Sequence, residues 1–290
     1  MNVFNTIINN SDSVSLNNYG IIPDEKTKFL FKNIQESFKN NAGNDIYNHK
    51  ILQYLIIKSL HNKEYIGTNY GGWFIPSNIL NENSICYCAG FSKDCSFELD
   101  LISQYQCNTY IFDPLPTAHT NYNSLIEFIE KREKVNNDVN DYEFWDNINK
   151  MEKLDLSKFN FIKYGLYDDD TTLTLHNNSN IYNKSVDVKK MNSLMYLLQH
   201  NKIDLLKLNV GDNTCKILNN ILNEGIYPKI ICVEFYEFSK CEEDLIQNDI
   251  DNYFTNLKSF CYVIDNLNNN GYRLLDDSRK GKMTFISKYC

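Results

Sequence analysis

The chain has 290 residues and a net charge of −8, with a pI near 5.2. That balance argues against a phosphate-backbone partner, because counterion release needs a basic surface. Apolar residues make up 42%, enough for one α/β domain with a sizeable core, and no stretch approaches the roughly 18 apolar residues of a membrane span. The first 18 residues are polar and Asn-rich, without the apolar run of a secretion signal. Residues 23–38 and 46–60 carry apolar side chains at three- and four-residue intervals: Phe29, Leu30, Ile34 and Phe38, then Ile51, Leu52, Leu55 and Ile56. The spacing predicts two helices joined by a turn at 40–44, where Gly43 lies. The chain thus divides into an N-terminal helical segment, 1–65, and a main domain, 66–290.

The main domain alternates strands with helices, which predicts an α/β doubly wound, mostly parallel sheet. Predicted strands cover 85–89, 109–112, 159–164, 203–208 and 230–235. Predicted helices cover 96–105, 124–134, 191–199, 214–224 and 252–269. Gly225 and Gly271 follow two of the helices, where a left-handed cap is expected. Residues 272–275 and 283–287 form a closing antiparallel hairpin around Gly281, and 173–175 reads as a short extra strand. The stretch 135–158 is long, charged and aromatic, with Tyr142, Phe144 and Trp145. It reads either as an acceptor-site insertion or as surface decoration. Nine cysteines are scattered along the chain, several of them in predicted buried strands. They read as free thiols in a reducing compartment rather than as disulfides. Cys86 and Cys88 are too closely spaced for a usual zinc knuckle. High usage of Asn, Lys, Ile and Tyr points to an A+T-rich genome, that of a protist or a large DNA virus. The expected setting is cytoplasmic, the host cytoplasm if the source is viral.

The most informative stretch runs from 84 to 116. A short apolar strand, Ile85-Cys86-Tyr87-Cys88-Ala89, ends at Gly90. A polar turn with Asp94 follows, a helix opens near Ser96, and the next strand closes on Asp113. A strand, a tight turn, a helix and an acid about 20 residues further on read either as a site for a nucleotide-like ligand at the carboxyl ends of parallel strands or as a pattern that many non-binding sheets share. The turn admits the ligand to the backbone, and the acid accepts hydrogen bonds from a ribose diol.

Several blocks in order resemble the FkbM-type family of S-adenosylmethionine-dependent O-methyltransferases. They are Tyr70-Gly71-Gly72-Trp73, Ser96-Phe97-Glu98-Leu99-Asp100-Leu101, Phe112-Asp113-Pro114-Leu115-Pro116, Tyr164-Gly165-Leu166-Tyr167-Asp168, Ile203-Asp204-Leu205-Leu206-Lys207-Leu208 and Val233-Glu234-Phe235. The resemblance covers roughly residues 70–287. It implies a Rossmann-like methyltransferase sheet and S-adenosyl-L-methionine as cofactor. Cofactor contacts then fall to Tyr70, Gly71, Gly90, Asp94, Ser96, Asp113, Pro114 and Asp168. Residues 70–73 read either as a turn with a core Trp or as a loop over the methionine end of the cofactor. Where the family often has Gly-x-Gly, this chain has Gly90-Phe91-Ser92.

The chain departs from the family on its fourth strand. The family pattern there is close to Leu-Lys-Met-Asp-Ile-Glu-Gly-Ala-Glu. Here Asn209 stands for the Asp, Gly211 for the Glu, Asp212 for the Gly and Thr214 for the last acid. A neutral amide orients a hydroxyl but neither takes a proton nor holds a hard cation, so no metal is expected. Lys207 lies two residues before Asn209 and points to the same sheet face, and Glu234 ends the fifth strand at the same edge. Lys207 and Glu234 read as a structural ion pair, or as a base (Glu234) and a cation stabilising the developing alkoxide (Lys207). The catalytic candidates are therefore Glu234, Lys207 and Asn209. His119 and His176 are loop candidates. The leading expectation is methylation of a sugar hydroxyl on a glycan or nucleotide-sugar, with no nucleic-acid partner and no membrane. The alternatives are a catalytically impaired cofactor-binding scaffold and an RNA ribose methyltransferase.

Overall fold

A computed structural model describes residues 58–91, 94–131, 142–151, 154–175, 184–236, 250–279 and 281–290. Strands β1 (Lys63–Ile66) and β2 (Trp73–Pro76) pair as an antiparallel hairpin. Then come β3 (Ile85–Ala89), α1 (Ser96–Tyr105), β4 (Asn108–Phe112), α2 (Pro116–Lys131), α3 (Tyr142–Lys150) and β5 (Phe159–Ile162). The chain continues through β6 (Gly165–Leu166), β7 (Thr171–Leu175), β8 (Lys184–Lys189), α4 (Met191–Leu197), β9 (Leu205–Leu208), α5 (Thr214–Asn223) and β10 (Ile230–Glu234). It closes with α6 (Ile250–Asn269), β11 (Tyr272–Arg279) and β12 (Lys282–Ser287).

The main sheet has seven strands in the order β11-β12-β10-β9-β3-β4-β5. Strands β3, β4, β5, β9 and β10 are parallel, and β12 runs antiparallel to both β10 and β11. This is the doubly wound Rossmann-like sheet with a C-terminal antiparallel hairpin that the alternation predicts. The first long strand, β3, lies in its middle, with β4 on one side and β9 on the other. The strand order therefore reverses at β3, and the crevice of such a sheet opens there, outside the carboxyl ends of the strands. Strand β3 is apolar throughout because both of its faces are covered.

One cross-strand row breaks the apolar pattern. Cys88, Lys207, Cys232, Thr284 and Asp276 stand in register across β3, β9, β10, β12 and β11. Residues in register share a sheet face, and all five are buried. Each polar member has a partner from the layer above. Lys207 pairs with Glu98 of α1 at 2.5 Å. Thr284 Oγ1 donates to the Phe74 carbonyl of β2 at 2.7 Å. Asp276 pairs with Lys63 of β1 at 2.5 Å. Helix α1 and the β1–β2 hairpin thus cover this face, and the row fixes both.

At the opposite end of the strands Asp204 joins three of them. Its carboxylate accepts from the Ile85 amide at 3.0 Å and meets Lys229 at 2.9 Å and Lys202 at 3.3 Å. Its own amide donates to the Ile85 carbonyl and its carbonyl accepts from the Ile230 amide.

Several expectations change. Residues 58–60, the described part of the helix expected over 46–60, are not helical: Lys58 bridges Leu274 in parallel and Ser59 donates to the Leu274 carbonyl. The rest of the N-terminal helical segment lies outside the described residues. Helix α2 starts at Pro116, eight residues before the predicted 124, since proline suits the first helical position. His119 is therefore helical rather than in a loop, its ring 5.5 Å from that of Phe161; His176 lies outside the described residues. Within 135–158, helix α3 sends Phe144 and Ile148 into the main core, so this helix is not surface decoration. The strand expected at 173–175 is the longer β7, in a separate sheet of order β6-β8-β7. Eight described cysteines are free, seven of them buried. No described helix is long and apolar enough to cross a membrane.

Asp204→Ala is expected to lower the unfolding free energy by about 1–3 kcal/mol at pH 7. Burial pushes the Asp204 carboxyl up, but the Ile85 amide and the Lys229 and Lys202 ammonium groups outweigh it and hold the group below its usual range. A lowered folded-state value stabilises the fold above the unfolded carboxylate range near about 4, and that stabilisation is lost as pH falls through the folded value. Denaturation of wild type and mutant at pH 7 and pH 3 measures the gap, which should shrink at pH 3. An equal gap at both would remove the ionised carboxylate from the account.

Candidate active site

The carboxyl edge begins at Gly90, directly after β3. Its φ is +89°, and a Cβ there would sit 2.0 Å from the Asn209 carbonyl oxygen. Only glycine fits this contact between the β3 and β9 ends. The Gly90 amide donates to the Phe112 carbonyl, and the Asn209 amide to the Ala89 carbonyl, so three strand ends are locked together.

Asp113 closes the second side. One carboxylate oxygen accepts from the Phe91 amide at 2.9 Å and the other from the Leu115 amide at 2.9 Å. It therefore ties the turn after β3 to the segment after β4. Burial raises its pKa, opposed by these two amides. Each oxygen has taken one hydrogen and keeps acceptor capacity. Pro114 lies against Gly165, where an added Cβ would meet its ring carbon at 3.0 Å.

A second cluster brings Tyr70, Gly71, Asp94 and Ser96 together through Thr68. Asp94 Oδ1 accepts from the Ser96 amide at 3.0 Å and from its hydroxyl at 2.6 Å, just ahead of the N-cap residue Cys95 of α1. Its other oxygen accepts from the Thr68 hydroxyl. The Thr68 hydroxyl in turn accepts from the Gly71 amide at 3.0 Å. A Cβ on Gly71 would meet Asp94 Oδ1 at 2.4 Å, so Gly71 is needed for the carboxylate to reach the loop. Trp73 is buried in the core and packs against Phe97, centroids 6.4 Å apart. Of the two readings of residues 70–73, the core Trp is borne out by Trp73, while Tyr70 is 76% exposed.

The structure separates Lys207 from Glu234. Lys207 is 4% exposed and its ammonium binds Glu98. Burial pushes the Lys207 pKa down, but the Glu98 charge overrides this and it stands above the usual value. A Lys207–Glu234 ion pair, one of the two expected readings, is corrected: the partner comes from α1. Two residues further along the same face lie Asn209 and Glu234, with Lys282 directly opposite Glu234 in register. Asn209 is exposed and Glu234 half-buried. Among the described residues, no hydrogen bond or ion pair engages the Glu234 carboxylate. The Lys282 ammonium donates to the Tyr70 carbonyl at 3.1 Å and lies 5.0 Å from the Trp73 ring centroid. Asp168 stands apart, paired with Lys216 of α5 at 2.8 Å.

Sequence reasoning missed Thr68, Glu98 and Lys282 as members of this region. Glu98 carried one signal, an acid in the first turn of a helix; Thr68 and Lys282 carried none. Among the described residues no group of three or more His, Cys, Asp or Glu is placed to hold a metal ion.

No protein-family model matches the chain, and no curated protein sequence matches it. Among solved structures it is similar to an rRNA methylase from Streptococcus thermophilus, at 12% identity and a TM-score of 0.34, over 71% of this chain and 87% of that one. It is also similar to M. jannaschii TYW2 in complex with AdoMet, at 13% identity and a TM-score of 0.27, over 79% of this chain and 86% of that one. At those TM-scores neither likeness bears on function.

Lys207→Met is expected to cost about 3–5 kcal/mol of stability, because Glu98 is left as an uncompensated buried charge. The double mutant Lys207→Met/Glu98→Leu should recover much of that loss. Equilibrium denaturation of the three proteins measures it. A double mutant as unstable as the sum of its single mutants would deny the pair its role.

Proposed function

We propose that the chain is an S-adenosylmethionine-dependent O-methyltransferase of the FkbM type, acting on a sugar hydroxyl. The observation that carries this reading is Asp113, a carboxylate held by two amides at the end of β4 beside the Gly90 turn, at the point where the strand order reverses. The sheet, with one antiparallel strand between β10 and the edge strand β11, fits the order of sequence blocks that resembles the family.

The residues present fit the cofactor in part. Asp113 keeps acceptor capacity for a ribose diol, as its oxygens have each taken one amide hydrogen. Gly211, at φ +78°, has open space where a Cβ would stand. Gly71 and Asp94, by contrast, are occupied with each other and shape the loop, and Pro114 and Asp168 support neighbouring segments. S-adenosylmethionine, when bound, supplies a methyl group on a sulfonium. In this reading Glu234 would take the proton of the acceptor hydroxyl, and the methyl–sulfur bond that breaks would leave the neutral thioether S-adenosylhomocysteine. Among the described residues its carboxylate makes no ion pair, which suits a base that has to be in reach and unengaged. Asn209 orients the same hydroxyl as a hydrogen-bond partner. Lys207 acts through position, by holding α1 against β9.

The burial of Lys207 and the neutral Asn209 favour one rival, a scaffold that binds cofactor without turnover. Two measurements separate the readings. Asp113→Ala should weaken S-adenosylhomocysteine binding by about ten-fold or more, since charge-assisted hydrogen bonds are worth roughly 1.5–3 kcal/mol each; unchanged calorimetric affinity in a folded mutant would refute the assignment. Glu234→Gln should lower turnover on a sugar acceptor by about 100-fold or more, with wild-type activity insensitive to chelator because the end of β9 lacks the family's acids. A wild type that binds cofactor and methylates no sugar in a nucleotide-sugar screen would establish the scaffold.

A further inference from the structure

We infer that Lys282 is a specificity-determining residue of the acceptor side, and that the acceptor carries a negative charge, as a nucleotide-sugar or phosphorylated sugar does and a neutral glycan does not. The inference rests on the methyltransferase reading above and names its substrate class.

The residues of the carboxyl edge lead to it. Lys207, the cation that sequence spacing places on this face, is sealed beneath α1 by Glu98. The next position along the face, at the open edge, holds Glu234 with Lys282 directly across the antiparallel pair. Directly opposed residues stand about 4.5–5.5 Å apart at Cα and point to one side. The Lys282 ammonium donates to the Tyr70 carbonyl at 3.1 Å and lies 5.0 Å from the Trp73 ring centroid, which holds it at this edge. Tyr70 itself is 76% exposed, an aromatic surface on the residue that fastens the lysine.

This placement answers an electrostatic problem. A carboxylate base such as Glu234 repels an anionic acceptor, and the whole chain carries a net charge of −8. A cation across the strand pair from that carboxylate offsets the repulsion and gives a phosphate a fixed point of attachment. A neutral sugar has no use for it. Lysine binds phosphate as a point charge rather than by a planar fork, so the position sets the charge class of the acceptor without fixing one geometry.

The test uses the full chain with S-adenosylhomocysteine present, and compares UDP-glucose with methyl glucoside by calorimetry. Wild type is expected to bind UDP-glucose at least ten-fold more tightly than the glucoside. Lys282→Met should remove that advantage by weakening UDP-glucose more than the glucoside, and Lys282→Arg should retain most of it. Equal weakening of both sugars in Lys282→Met would make the lysine a structural fastener of the Tyr70 loop and overturn the inference. So would an unchanged UDP-glucose affinity, or a wild type that binds neither sugar. Failure of wild type to bind S-adenosylhomocysteine sinks the methyltransferase reading itself; normal S-adenosylhomocysteine binding with no charge preference sinks the lysine alone.

Discussion

The buried pair between Lys207 and Glu98 is the constraint on which the rest of this structure depends. Two charges removed from water demand each other in a fixed geometry, and here they come from a central strand and from the first turn of α1. The start of α1 therefore has one permitted position over β9. Asp94, Ser96 and Thr68 inherit it, because their hydrogen bonds run from that helix start to the loop before β2. The acid also suits its place, since the positive end of the helix dipole favours negative charge. Glu98 Oε2 has no hydrogen-bond partner in the interior, so the pair with Lys207 is what holds this carboxylate there.

The same face is divided by depth. One register row, from Cys88 to Asp276, is buried and engaged by α1 and the β1–β2 hairpin. The row two residues further on reaches the crevice with Gly90, Asn209, Glu234 and Lys282. Spacing of two along a strand keeps side chains on one face, so the polar character of the first row is transmitted to the second without a change of orientation. What differs is cover: the inner row is buried, while in the outer row Asn209 is exposed and Gly90, Glu234 and Lys282 are half-buried.

Much of the fold was legible in the sequence, and the reasons are local. Strand β3 and helix α1 match their predicted bounds because an apolar run, a glycine with positive φ and a helix-opening serine follow one another within a few residues. The β1–β2 hairpin was invisible. Its strands have four residues each, its glycines read as loop, and its partners lie 213 residues away at Asp276 and 210 away at Thr284. Strand β8 alternates buried Val186 and Val188 with Lys and Asp, a half-buried pattern hidden among charges. Of the candidate site, period-two spacing placed Lys207 and Asn209 on one face. It had no means of naming Glu98, a helix residue 109 positions earlier, as the lysine's partner.

The thiols packed into this core have a chemical consequence. Burial raises the pKa of Cys86, Cys88, Cys95 and Cys232, in the last case to about 12. Cys95 stands at a helix start, a setting that ordinarily promotes the thiolate, yet burial and then the nearby Glu98 and Asp94 charges work the other way. Only the thiolate attacks electrophiles with useful speed. These four buried thiols are therefore held as inert filling, while Cys290 is exposed among the described residues.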